Sequence, residues 1–311
     1  MNNNYVIGVD VGGTKVAYGL FDNEGKIIYK TQHATDFNAD GQVFSDILIR
    51  NIDAIVTNNG LTYEQLDGVG IGMPSFIKRE TGFVFMTSAM PAIKNFAMGE
   101  YLEMKIPTRV VLDNDANTAA LAEYRHGAGR GTQHMVYIVI GTGFGSGIII
   151  DGKVFSGSYG AAGECGHAIA TPGEGIMCGC ENKGCYMSYI AGKHIPERVR
   201  LGLEKGIKST LNPETVNGQE LLNAYNNGDL LAIEVMHKMA DYLAQCLFNI
   251  YQMLNIDTFV FGGGVTNLGD ALFDRMRDVF NSYYHIEFPV HFKMAELGED
   301  VGIIGAAEYL K

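Results

Sequence analysis

Basic side chains are the scarcer charge in this chain. Lys and Arg number 23 against 35 Asp and Glu, for a net charge of -12. Broad nucleic-acid binding rests on neutralising phosphates, so this balance argues against a nucleic-acid partner. No apolar run reaches spanning length, although 47% of the residues are hydrophobic. That points to a soluble, cytoplasmic protein with no membrane partner. No low-complexity segment or charge block marks a flexible linker. No secretory signal is visible, because Met1-Asn2-Asn3-Asn4 runs straight into a strand-like segment. Cysteines number only five, and without a secretory context disulfides are not expected.

Three of those cysteines keep company with a histidine. His167, Cys178, Cys180 and Cys185 lie on one short segment, and Glu164 precedes them. Zinc takes four N/S ligands in a tetrahedron, and a Cys3His set is one such structural shell. The competing reading is three small packed residues. Gly179, Gly184 and the scarcity of apolar neighbours make a poor core strand, and the spacing is that of metal ligands. Cys165 and Cys246 lack such company and read as ordinary buried residues.

A length of 311 residues allows two compact domains. Forty glycines are too many for element interiors and imply tight turns and close backbone approach to a ligand. Tyr5–Val11, Lys15–Phe21 and Lys26–Tyr29 read as a meander of three strands around Gly12-Gly13 and Asp22–Gly25. Strands are also expected at 69–72, 109–112, 257–261 and 290–294, and helices at 43–56, 117–124, 230–254, 271–280 and 302–310. From Met135 the pattern restarts: strand, glycine turn over Gly141–Gly147, strand, Asp151-Gly152 turn, strand. That order of elements marks an internal repeat.

Three strands end in glycine turns, at Asp10–Lys15, Gly141–Gly145 and Gly262–Val265. Successive backbone N–H groups at such turns form anion-sized concavities. The P-loop order is not met, since Gly13 is followed by Thr14 and then Lys15. The dinucleotide fingerprint fails because position 146 is serine. Asp10, at a strand end beside the first turn, is placed to meet Mg²⁺ through water or, alternatively, to stabilise its own turn. Asp115, between a strand and a helix, is either the helix cap or a general base. The two roles are compatible.

With these motifs in hand, the chain resembles the ROK sugar kinases of the actin/hexokinase/Hsp70 superfamily over nearly its whole length. Asp10–Thr14 and Gly141–Gly145 are similar to the family's two phosphate motifs, and Phe261–Val265 to its adenosine motif. Asn114–Asn117 resembles the catalytic segment, and Glu164–His167 with Cys178, Cys180 and Cys185 the sugar and zinc motif. The resemblance implies an α/β fold of two actin-like (ribonuclease H-like) lobes, mixed sheets flanked by helices, with ATP and sugar in the interlobe cleft. The N-terminal lobe would be 1–113, completed by the helix 302–311, and the C-terminal lobe 114–301, with the zinc segment 164–185. ATP with Mg²⁺ would be held by Asp10, Gly12, Gly13, Thr14, Lys15, Gly141, Thr142, Gly143, Gly262, Gly263 and Gly264. Asp115 would take the proton of a hexose 6-hydroxyl, while Asn114, Glu164, His167 and Ser75 hold the sugar. His167, Cys178, Cys180 and Cys185 would bind a structural Zn²⁺. A homodimer is implied, and the 230–254 helix is either a subunit contact or a core helix.

Three departures fall in the presumed sugar pocket. Met187 stands where the family has a sugar-binding glutamate, Gly72-Met73-Pro74-Ser75 replaces Gly-x-Pro-Gly, and Ser88–Pro91 lacks the usual asparagine. They favour an aldohexose other than glucose, with allose named first and N-acetylmannosamine, fructose, glucose or a β-glucoside as alternatives. A ROK-type repressor has no room for its helix-turn-helix before Tyr5. A non-catalytic sugar sensor would need neither Asp10 nor Asp115.

Overall fold

The computed structural model describes residues 4–283 and 288–311, so Met1-Asn2-Asn3 of the leading segment lies outside the described residues. The chain opens with a meander, β1 (Tyr5–Val11), β2 (Lys15–Phe21) and β3 (Ile27–Ala34), and helix α1 (Gly41–Asn58). Then come β4 (Leu66–Met73), β5 (Ser75–Lys78), β6 (Phe83–Thr87), β7 (Lys94–Ala97) and α2 (Met98–Lys105). β8 (Val110–Asn114) and α3 (Asp115–His126) lead to β9 (Met135–Ile140), β10 (Phe144–Ile150) and β11 (Lys153–Val154). Helices α4 (Tyr186–Ile190), α5 (Ile195–Glu204), α6 (Gly218–Asn226) and α7 (Leu230–Leu254) follow. The chain ends with β12 (Thr258–Gly262), α8 (Asp270–Tyr283), β13 (His291–Met294) and α9 (Val301–Glu308).

Two sheets share one strand order, β3-β2-β1-β4-β8 and β11-β10-β9-β12-β13. In the first, the meander is antiparallel, and β1, β4 and β8 run parallel. In the second, β10 and β11 are antiparallel, and β9, β12 and β13 run parallel. The repeat read from the glycine turns is thus a repeat of topology. A third sheet, β5-β6-β7, was not legible: its strands are short and carry little alternation.

The chain divides into two compact units, Met1–Gln133 with Gly147–Ala162 and Glu296–Lys311, and His134–Ser146 with Gly163–Ala295. In the first, α1 presents Phe44, Leu48, Ile52 and Ile55 at helical spacing to a core with Ile7, Val9, Ile71 and Leu112. The helix starts where Asp40 accepts a 2.9 Å bond from the Val43 N–H. α9 lies directly on strand backbone. A Cβ on Gly8 would sit 2.0 Å from the Ile303 carbonyl oxygen, and one on Gly70 1.8 Å from that of Ala306. α3, expected in the C-terminal lobe, goes with this unit because Gly305 brings α9 onto it: a Cβ there would lie 1.8 Å from the Thr118 oxygen.

In the second unit α7 buries Leu231, Val235, Met239, Leu243 and Leu247, one every four residues, and packs on α4, α5, α6 and α8. It is therefore a core helix. Asp229 caps its start through the Leu231 and Ala232 N–H groups, and Asn255 ends it at φ 50°. Phe261 meets Phe273 edge-on, and Phe280 meets Phe292 in the same way, each with centroids 5.1 Å apart. The glycine turn expected over 141–147 spans only 141–143, since β10 begins at Phe144. Gly147 is in the strand for a packing reason: a Cβ there would lie 2.4 Å from the Ala116 oxygen on α3.

Candidate functional site

In the first unit the expected residues gather at one edge, the carboxyl ends of the parallel strands. Asp10 pairs in register with Gly72, Gly72 with Asp113, and Met73 with Asn114. Open α/β sheets bind ligands outside this edge. Asp10 lies against the backbone of Gly302, where a Cβ would come 2.3 Å from its carboxyl carbon. Burial pushes the Asp10 carboxyl up to about 6, with Lys15 pulling it down less strongly. The turn Gly12-Gly13-Thr14 closes with the Gly12 N–H donating to the Lys15 oxygen at 2.8 Å. Lys15 stands 3.6 Å from Glu299. Thr35 braces the turn: its hydroxyl donates to the Gly12 oxygen at 2.8 Å, and its N–H to that of Thr14 at 3.1 Å. The sequence reading missed this residue, which is brought in by β3.

The head of α3 separates the two roles offered for Asp115. Asn114 is the cap, its side-chain oxygen accepting from the Ala116 N–H at 2.8 Å. Asp115 occupies the first helical turn, where the positive end of the helix favours an anion. The Asn114 amide also donates to the Ser75 oxygen at 3.2 Å. Ser75 is buried, and its hydroxyl donates to the Met73 oxygen at 3.0 Å. Ser75 pairs with Thr87, and the Ser88 N–H donates to the Pro74 oxygen at 3.2 Å. Two of the three departures from the family pattern are therefore neighbours.

In the second unit two glycine turns meet at the ends of β9 and β12, where Gly262 pairs with Val139. A Cβ on Gly141 would lie 4.0 Å from the Gly264 nitrogen, so Gly141, Thr142 and Gly143 adjoin Gly262, Gly263 and Gly264. Gly263 adopts φ 89°, and a Cβ there would sit 2.5 Å from the Ile140 oxygen. Both conditions call for glycine. The Gly192 N–H donates to the Gly141 oxygen at 2.8 Å, which sets Lys193 beside Thr142.

The same unit assembles the cysteine–histidine set. The ligand atoms of His167, Cys178, Cys180 and Cys185 lie within 4.8 Å of one another. Nδ1 of His167 is 3.5 Å from the Cys178 sulfur, and the Cys180 and Cys185 sulfurs are 3.5 Å apart. A disulfide would hold sulfurs about 2.05 Å apart. A zinc–sulfur bond of about 2.3 Å sets tetrahedral corners about 3.8 Å apart, so the set fits a zinc ion. The hairpin is shaped for it: Cys178 N–H bonds the Asn182 oxygen at 2.9 Å, and Glu181 turns at φ 66°. Gly184, at φ 84°, would put a Cβ 1.8 Å from the Thr171 oxygen. Burial, and secondarily Lys193, lowers the His167 imidazole from its usual range, which favours the neutral ligand form.

Glu164 is half-buried, and burial raises its carboxyl. Met187 is buried, and its sulfur accepts from the Phe144 N–H at 3.2 Å. The segment around it is anchored by Arg198, a buried guanidinium donating to the oxygens of Tyr189 and Ala191. Cys246 is not isolated, as its sequence context suggests. Its thiol is pushed well above the ordinary range by a hydrogen bond with Cys165 and by burial. Position 246 is far from 165 in sequence, and only α7 brings them together.

The ROK family profile matches residues 6–311. A glucokinase of Halalkalibacterium halodurans is 30% identical over 318 residues, covering 100% of this chain and 96% of that protein. An N-acetyl-D-glucosamine kinase of Photobacterium profundum is 33% identical, covering 84% of each. The crystal structure of a ROK family glucokinase from Streptomyces griseus, in complex with glucose and AMPPNP, is 29% identical. It superposes with a TM-score of 0.77 over 98% of this chain and 99% of that one. With its repeated sheets, its glycine turns at strand ends and a profile match along nearly its whole length, the chain belongs to the ROK family.

Proposed function

We propose that this chain is an ATP-dependent sugar kinase that phosphorylates a hexose at its 6-hydroxyl, with Asp115 as general base. The observation that carries the reading is at the head of α3, where Asn114 takes the cap and Asp115 stands in the first turn at the sheet's carboxyl edge. Relatives named glucokinase and N-acetyl-D-glucosamine kinase support sugar phosphorylation. Asp115 accepts the hydroxyl proton as the sugar oxygen bonds to the γ-phosphorus, and the bond from that phosphorus to the bridging oxygen breaks to release ADP.

The turns at Gly12, Gly13, Thr14 and Lys15, at Gly141, Thr142 and Gly143, and at Gly262, Gly263 and Gly264 hold the nucleotide through backbone N–H groups. Asp10 meets the Mg²⁺ of the nucleotide through water. Its raised carboxyl suits this, because a dication relieves an otherwise costly buried ionisation. Glu164, His167, Asn114 and Ser75 hold the sugar. His167, Cys178, Cys180 and Cys185 hold a zinc ion that braces the segment, and zinc supplies this rigidity rather than a chemical step. The neighbouring departures at Pro74-Ser75 and Ser88–Pro91, with Met187, favour an aldohexose other than glucose, allose first.

A hexose panel with a coupled ADP readout tests the class and ranks the sugars; glucose and N-acetylglucosamine belong in it. Asp115→Ala should abolish turnover and leave ATP binding in place, and substantial remaining activity would sink the base assignment. The expected homodimer is checked by sedimentation. No helix among the described residues is long and apolar enough to cross a membrane.

A further inference from the structure

Asp113 is a buried carboxylate that the reaction as written does not use. It is 1% exposed and sits at the end of β8, directly before Asn114 and Asp115. One of its oxygens accepts from the Asn114 N–H at 2.7 Å and from the Asn117 side-chain amide at 2.9 Å. These donors bracket Asp115, one on the strand side and one within the first turn of α3. The other oxygen accepts from the Tyr309 hydroxyl at 2.7 Å and stands 3.7 Å from the Arg79 guanidinium. Arg79 in turn lies over the Tyr309 ring, 5.6 Å from its centroid. Tyr309 follows directly on α9, the helix seated on β1 and β4.

We propose that Asp113 is a positioning residue, a clamp that fixes the Asn114–Asn117 segment on both sides of Asp115, and that Tyr309 holds the clamp from the end of the chain. The physical case is one of unequal needs. Burying a carboxylate is costly unless it is well paired, so a structural role alone would be better filled by an apolar residue. A carboxylate here accepts three hydrogen bonds at once, with the Arg79 guanidinium nearby, and ties the Asn114 N–H, Asn117 and Tyr309 into one geometry. Small displacements of a catalytic group lose much rate, about a hundredfold for an error of about 1 Å. The clamp does not touch ATP, so its loss falls on kcat and spares the KM for ATP. This inference rests on Asp115 as the base.

Tyr309→Phe removes one hydroxyl and keeps the ring that Arg79 covers, so it folds. It should lower kcat by about tenfold with the KM for ATP within about twofold, a loss at the scale of one charged hydrogen bond. Asp113→Asn should lower kcat further, and Asp113→Glu should recover part of it. Wild-type kcat in both Tyr309→Phe and Asp113→Asn would overturn the clamp, whatever their melting temperatures. Asp115→Asn run in parallel separates the two readings. Its retained turnover would reject the base assignment. Its inactivity beside full activity in both Tyr309→Phe and Asp113→Asn would reject the clamp alone.

Discussion

The sulfur of Met187 accepts a hydrogen bond from the Phe144 N–H, 3.2 Å away, at the foot of the 141–143 turn. Gly166 makes room for it, since a Cβ there would lie 3.1 Å from the Met187 methyl. Where the family carries a sugar-binding carboxylate, this chain has a thioether holding a turn. Met187→Glu should raise kcat/KM for free hexose relative to its methyl glycoside by about tenfold, the scale of one hydrogen bond to a charged group. An unchanged ratio would take position 187 out of the sugar pocket. Met187→Ala should cost about 2–4 kcal/mol of stability in urea melts, through a lost core side chain and an unpaired N–H.

Asp10 sets function against stability. Its carboxyl is raised from 3.8 to about 6 by burial. The folded state therefore prefers the protonated form, and nucleotide-free protein loses stability as pH rises from about 4 to about 6. The shift corresponds to about 3 kcal/mol. Asp10→Asn should melt at a higher temperature than the parent at pH 7.5 without nucleotide, match it near pH 3.5, and lack activity. A lower melting temperature at pH 7.5 would contradict the assignment.

The four-ligand set predicts about one zinc per chain by elemental analysis. Chelation should melt the 164–185 segment, seen as new proteolytic cleavage there, before the rest of the chain unfolds. Cys185→Ser should do the same without chelator. Folded, active, zinc-free protein would contradict this.

Glu308 carries the opposite pH dependence to Asp10. Burial would raise its carboxyl, but hydrogen bonds from Lys311, Arg125 and His126 outweigh that and hold it below 4.5. The bonds measure 2.7 Å from Lys311, 2.6 Å from Arg125 and 3.0 Å from His126. A lowered acid stabilises fully above its unfolded value and loses that contribution as pH falls. Glu308→Gln should cost about 2 kcal/mol at pH 7 and progressively less as pH falls below 4.5. A constant difference across that range would show a packing effect instead.

What could be read from the sequence was local. Asp10–Lys15, Gly141–Gly143 and Gly262–Gly264 announce themselves because clustered glycines at a strand end are unusual, the first beside a carboxylate. Cys178, Cys180 and Cys185 are legible because metal ligands must be close in space and here are close in sequence. The rest depends on contacts between distant positions. Cys165 meets Cys246 through α7, Thr35 reaches the first turn through β3, and Asp113 meets Tyr309 across 196 positions. Sequence alone allows Asp115 as cap or as base; in the structure the cap on the Ala116 N–H is the side-chain oxygen of Asn114. The β5-β6-β7 sheet escaped because strands such as Lys94–Ala97 are too short for their pattern to stand out.

The seating of α9 on Gly8 and Gly70 has a consequence for biosynthesis. β1 leaves the ribosome long before α9, the helix that covers it. Until Ile303 and Ala306 arrive, the backbone grooves at Gly8 and Gly70 stay open to water and to other chains. A nascent chain stopped before residue 296 therefore carries an unfinished first sheet, however complete its second unit. Chaperone demand should fall on the translating polypeptide rather than on the released one.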